Sequence, residues 1–157
     1  MQKISPCLWF DTQAEAAAEF YLSIFPNSRI TKISRYGEGG RMPQGLAMMV
    51  AFTLDGVEFL ALNGGPMFKH SEAVSFSISC KAQAEIDHYW SKLTSGGGAE
   101  SMCGWLKDKF GVSWQVVPDI LPEMATGSDP KKVRRMTEAM LKMKKLDIAT
   151  LVNAYNS

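Results

Sequence analysis

The order of short apolar segments in this chain occurs twice, and that repetition limits the possible folds more than any other feature. Residues 4–10 (ISPCLWF) are apolar and partly β-forming, which predicts a strand. Thr12 and Glu15 have the spacing of a capping box, and Ala16, Ala17, Phe20, Tyr21, Ile24 and Phe25 then share one helical face. Pro26 and Asn27 end that helix. Strands follow at 29–36, 46–54 and 57–63, the last two joined by Asp55-Gly56, a two-residue hairpin signal. The pattern so far is β-α-β-β-β.

After the loop at 64–73 the order begins again. A strand at 74–80 precedes a helix that stacks Ile86, Tyr89, Trp90 and Leu93, and Gly96, Gly97 and Gly98 punctuate its end. Short strands follow around 100–102, 104–107 and 114–117, with a turn at Lys109-Phe110-Gly111. At an offset of 70, Gln13-Ala14-Glu15 falls on Gln83-Ala84-Glu85, Phe20 on Trp90 and Ser5 on Ser75. The expected fold is therefore α+β: two β-α-β-β-β modules forming one curved, largely antiparallel sheet with a cleft, plus C-terminal helices. The modules are read as 1–64 and 65–118, with a helical extension at 119–157, all in one compact unit. In the extension, Asp129-Pro130 caps a helix carrying Val133, Met136, Met140 and Met143, and Asp147 caps one carrying Ile148, Leu151, Val152 and Tyr155. Those two helices are expected to pack on the sheet edge or on a second subunit.

Charge and motifs exclude several functions. A net charge of +1 gives no general pull toward nucleic acid or anionic membrane. The extension carries Lys131, Lys132, Arg134, Arg135, Lys142, Lys144 and Lys145, but these fall mainly opposite the apolar stripe and read as a solvated face. Cys7, Cys80 and Cys103 are odd in number and lack a CxxC spacing, which argues against a disulfide framework and a zinc site and fits a reducing cytosol. No segment approaches 18 unbroken apolar residues and the start lacks a leader pattern, so a cytoplasmic protein without a membrane partner is expected. Neither the glycines at 37, 39 and 40 nor Gly64-Gly65 fit a phosphate loop.

Three strings are more specific than the order of elements: FLALNGGPMFKHSEAVSFSISC (59–80), CGWLKDKFGVSWQVVP (103–118) and MLKMKKLDIATL (140–151). With the paired modules, they resemble the vicinal-oxygen-chelate (glyoxalase/bleomycin-resistance/dioxygenase) superfamily. The branch they resemble is PhnB-like, many of whose members are labelled demethylubiquinone methyltransferase-like. The resemblance implies a cleft formed by two curled sheets. In metal-dependent members, a His on the first strand and a Glu on the last strand of each module hold a divalent ion, which stabilises charge on an enolate or alkoxide. It also implies a homodimer, and twofold dimers are the commonest assembly.

Carried over residue by residue, the resemblance implies an unusual site. Asp108-Lys109-Phe110-Gly111 matches the family's Asp-Pro-x-Gly turn, and four residues onward Gln115 fills the second Glu position. The first Glu position falls within Phe59–Asn63, where no carboxylate stands; Glu58 is the nearest. The His positions fall near Ser5 or Pro6 and near Ser75, again without a His. Gln, Asn and Ser are poor substitutes for the carboxylates and imidazoles that hold such ions.

The expected function is thus small-molecule binding in a cleft that needs no metal or other cofactor. The expected binding residues are Gln115, Asn63, Ser75, Trp105, Trp9 and Cys7. At Gln115, Asn63 and Ser75 the competing reading is an internally satisfied strand residue; at the tryptophans it is core packing; at the cysteines it is an inert buried thiol. One alternative is a metal-dependent glyoxalase-type lyase, isomerase or dioxygenase that recruits its ion through Glu58, His70 or Asp108. A second is a methyltransferase using S-adenosylmethionine. It is disfavoured, because the first strand ends in Phe10-Asp11-Thr12 rather than a Gly-rich turn in a parallel sheet.

Overall fold

A computed structural model describes residues 2–157. It divides into two compact units, one ending at His70 and one spanning Ser71–Ser157.

The first unit contains β1 (Cys7–Phe10), α1 (Ala14–Leu22), β2 (Arg29–Arg35), β3 (Ala47–Leu54) and β4 (Val57–Asn63). They form a four-stranded sheet in the order β1-β4-β3-β2. β3 and β4 are a hairpin, and its turn works because Asp55 and Gly56 both take positive φ (45° and 80°). That conformation matches the twist of the flanking strands. β1 then joins the far side of β4 in parallel, Cys7 opposite Leu60 and Phe10 opposite Asn63. Alternation sends Phe59, Ala61 and Asn63 to one face and Leu60 and Leu62 to the other. The first face takes α1, which buries Ala14, Ala17, Ala18 and Tyr21, with the Tyr21 ring stacked over Phe52.

Three details differ from the sequence expectations. β1 begins at Cys7 rather than residue 4. Ala16, expected on the buried face of α1, is exposed. The capping box also does not form: Gln13 is the N-cap and makes no side-chain cap, while Glu15 is held by Arg35 at 2.8 Å. The helix is capped from a distance instead. Asn63 Oδ1 accepts the Ala14 N–H at 2.8 Å, and Asn63 Nδ2 donates to the Ala47 carbonyl at 2.8 Å. One side chain thus satisfies an orphan helix donor and ties α1 to two strands.

The second unit repeats the order with β5 (Ser75–Cys80), α2 (Gln83–Thr94), β6 (Ala99–Glu100), β7 (Trp105–Lys107) and β8 (Ser113–Pro118). Its sheet runs β5-β8-β7-β6, again with the first and last strands parallel. Each sheet is therefore mixed, with one parallel and two antiparallel pairs, and the class is α+β. The strands form two four-stranded sheets, one in each expected module. α2 buries Ile86, Trp90 and Leu93 as expected, and Glu85 reaches back to the Lys81 N–H at its N-terminus.

The C-terminal extension belongs to the second unit and contains three helices, not two: α3 (Leu121–Ala125), α4 (Pro130–Met140) and α5 (Ile148–Asn156). The short α3 has too few residues for a periodic pattern. Asp129 and Asp147 cap α4 and α5 as expected. Met124, Met136, Leu146 and Leu151 form a small core of their own, against which Met140 and Met143 pack. Gln83 of α2 holds this layer at two points, donating to Leu146 O at 3.1 Å and accepting from Ile148 N at 2.9 Å. The basic residues are largely engaged locally: Arg134 with Glu138, Arg135 on the last carbonyls of α5, Lys145 on Asp87. Among the described residues no helix is long and apolar enough to cross a membrane.

Asn63 is wholly buried, so its removal leaves the α1 N-terminus and the Ala47 carbonyl without partners. Asn63→Ala is expected to cost about 1–3 kcal/mol. Urea unfolding monitored by circular dichroism measures that loss.

Candidate functional site

In the second unit, strand alternation sends Leu106, Trp114 and Val116 to the buried face beneath α2. Trp105, Lys107, Ser113 and Gln115 lie on the other face. Cross-strand register then sets two rows. Trp105, Gln115 and Ser77 form one; Lys107, Ser113 and Ser75 form the next. Gln115 Nε2 donates diagonally to Ser75 Oγ at 2.9 Å. Of the six residues expected to bind a ligand, Gln115, Ser75 and Trp105 thus share one sheet face. Ser77, Lys107 and Ser113, which no sequence motif marks, lie on the same face. Pairing Trp105 with Gln115 in the sequence would have found them, because residues two apart on a strand point the same way.

The turn before β8 fixes this arrangement. Asp108 is 3% exposed. Its Oδ1 accepts the N–H groups of Phe110 (2.8 Å) and Val112 (3.1 Å), and its Oδ2 accepts the Trp114 indole N–H (2.9 Å). A buried carboxylate with three donors is a structural anchor, so Asp108 is not available as the metal ligand considered above. It sets the β7–β8 register and so the placement of Trp105 beside Gln115.

The other three expected residues belong to the first unit and have separate surroundings. Asn63 faces α1 and its amide is spent in capping, so it lines no ligand surface. Trp9 donates from Nε1 to the Gly65 carbonyl at 2.9 Å and packs edge-on against Phe68, with ring centroids 5.0 Å apart. A Cβ at Gly64 would lie 2.3 Å from that indole, so the glycine is what admits the ring. Cys7 stands opposite Leu60 on the face away from α1 and is exposed rather than buried. Partial burial of its sulfur nevertheless raises its thiol above the usual value. Cys80, fully buried near Glu85 and Asp119, is pushed up to about 11, mainly by burial. Both thiols are held protonated at neutral pH, which removes them as ready nucleophiles.

The register also pins the metal positions of the related fold. Gln115 stands opposite Ser77, and 70 residues earlier Cys7 stands opposite Leu60. The partner of Gln115 in the first module is therefore Leu60, within the expected span. Glu58, two residues away, accepts the Gln2 N–H at 3.2 Å. His70 packs edge-on against Phe10, 5.2 Å between centroids. Among the described residues no three His, Cys, Asp or Glu side chains converge as a metal-binding group. An amide, a hydroxyl and an aliphatic side chain at the ligand positions do not fit a divalent ion.

Two β-α-β-β-β units, each closed by a parallel pairing of first and last strands, define the vicinal-oxygen-chelate fold. The structure matches FosX, a fosfomycin resistance protein of Listeria monocytogenes, with a TM-score of 0.51 at 12% identity, covering 75% of this chain and 93% of that one. It matches a protein from Pseudomonas aeruginosa with a TM-score of 0.64 at 19% identity, covering 76% and 98%. Within that fold the chain belongs to the PhnB-like family described as 3-demethylubiquinone-9 3-methyltransferase, which matches residues 2–117. The PhnB protein of Bacillus cereus is 38% identical with a TM-score of 0.69, over 74% of this chain and 99% of that one. No curated protein matches the chain. The extension from residue 118 onward lies outside the family match.

Asp108→Ala strands three buried donors and is expected to cost about 3 kcal/mol or more. The β7–β8 register should loosen with it. Hydrogen exchange at the Phe110 and Val112 amides measures this, and should accelerate selectively.

Proposed function

We propose that this protein binds a small molecule on the Gln115–Ser75–Trp105 face of its second sheet, without a metal cofactor. The observation that carries the reading is the hydrogen bond from Gln115 Nε2 to Ser75 Oγ, made where metal-dependent members of the superfamily are expected to have a carboxylate and an imidazole. The bond turns the two residues into a fixed neutral pair. The amide Oε1 remains as an acceptor and the serine proton as a donor, so a ligand can be met on both counts. Trp105, directly across from Gln115, supplies a flat apolar wall beside them. A few placed polar groups next to an aromatic surface are the usual make-up of a small-molecule site.

The methyltransferase description of the family gains no support from the local geometry. Both sheets have antiparallel hairpins at their centre, and β1 leads into α1 through Asp11, Thr12 and Gln13 rather than a Gly-rich turn. A second copy of the chain is part of the proposal. In the first unit Ile4, Met67 and Phe68 are 84%, 76% and 58% exposed, apolar surface that a homodimer would cover.

The test is elemental analysis of the purified protein before and after incubation with Ni, Mn, Fe(II) and Zn, on material whose mass is fixed by light scattering. The expected result is twice the mass of one chain and no stoichiometric metal under either condition. About one tightly held metal per subunit would overturn the metal-free reading, and a monomer would overturn the dimer.

A further inference from the structure

The second row of the same face leads to a recess of about 210 Å³ lined by Glu72, Glu100, Trp105, Lys107 and Ser113, among others. We propose that this recess is a subsite for a small planar organic carboxylate, with the Glu72 side chain holding the anion's place until the ligand arrives. The proposal deepens the function proposed above and rests on it.

The balance of donors and acceptors argues for an anion. Ser113 is 1% exposed, and among the described residues its hydroxyl has no hydrogen-bond partner. A buried hydroxyl left so is costly, and an acceptor entering the recess would relieve it. Lys107, paired across the ladder with Ser113, brings a three-proton cation to the same spot, where it forms an ion pair with Glu72. The carboxylates, in contrast, are already engaged. Glu100 accepts the Trp90 indole N–H at 2.8 Å and lies 3.8 Å from Lys144 Nζ. Glu72 is drawn to Lys107, and that contact lowers its pKa below the usual carboxylate value, so it is an anion at neutral pH. What is unsatisfied here is the Ser113 hydroxyl, which can donate to an incoming acceptor.

Glu72 can leave. Its side chain is 62% exposed and that of Lys107 is 40% exposed. Ion pairs this exposed contribute little to stability. Glu72 also lies in the turn before β5, outside the strand ladder, so it can swing away without breaking backbone pairing. A ligand carboxylate can therefore take its place on Lys107, accept from Ser113 Oγ and rest its ring on the Trp105 indole. The volume suits one substituted ring, since it equals that of roughly seven waters in the liquid.

Benzoate is the probe, with benzamide as the neutral control and benzylammonium as the cationic one. The readout is the indole N–H resonance of Trp105, assigned with Trp105→Phe. Benzoate should shift that resonance saturably and more tightly than either control. Lys107→Met should weaken benzoate at least tenfold, and Glu72→Gln should tighten it threefold or more by removing the competing carboxylate. The proposal is overturned if benzoate gives no shift, if benzamide or benzylammonium binds as well, or if Glu72→Gln weakens benzoate. A neutral compound that shifts the Gln115 side-chain amide while benzoate does nothing would overturn this subsite alone and leave the broader binding reading in place.

Discussion

The parallel pairing of first and last strands within each module is the constraint on which the rest depends. A hairpin by itself leaves the edge of β4 or β8 open, and joining β1 or β5 there closes the four-stranded sheet. The connection is long enough to carry a helix, as a parallel crossover requires. It also fixes register. With Ser77 opposite Gln115 and Ser75 opposite Ser113, every polar residue on one face of the second sheet has its neighbour decided. A slip of one residue would turn Gln115 and the serines toward α2 and bring Trp114 and Val116 out.

The two modules spend this shared geometry differently. In the first, the last residue of β4 is Asn63, and its amide becomes the cap of α1 and a tie to β3. In the second, the corresponding support comes from Glu85 at the start of α2 and from Asp108 in the β7–β8 turn. The second sheet thus keeps its polar strand residues off structural duty on one face. That division leaves Gln115, Ser75, Ser77 and Ser113 to the proposed ligand, because a different set of side chains holds the fold. The extension adds a further layer to this module, anchored through Gln83 and the methionine-rich core.

Most of the architecture could be read in the sequence because it rests on local signals. The Asp55-Gly56 turn, the punctuation at Gly96–Gly98 and the caps at Asp129 and Asp147 each act within a few residues. What escaped were the effects of residues distant in the chain. Glu15 has the spacing of a capping-box residue, yet Arg35, 20 residues on, takes it, and Asn63 does the capping from 49 residues away. The same limit applies to the site. Resemblance and position point to Gln115, Ser75 and Trp105, which share a sheet face, and the same logic points to Asn63, whose side chain turns inward. Lys107 and Ser113 carry no motif; cross-strand pairing brings them together, and one sequence does not print it.

The polar face of the second sheet around Gln115, Ser75 and Trp105 is proposed to bind a small molecule. A fragment library followed by side-chain amide and indole resonances tests it most directly, with Gln115 and Trp105 assigned by substitution. The account predicts that the fragments that bind shift the Gln115 Nε2 amide and the Trp105 indole together, and that Gln115→Leu abolishes their binding while leaving the fold intact. Fragments that bind elsewhere, with those two resonances unmoved and affinity unchanged in Gln115→Leu, would contradict it.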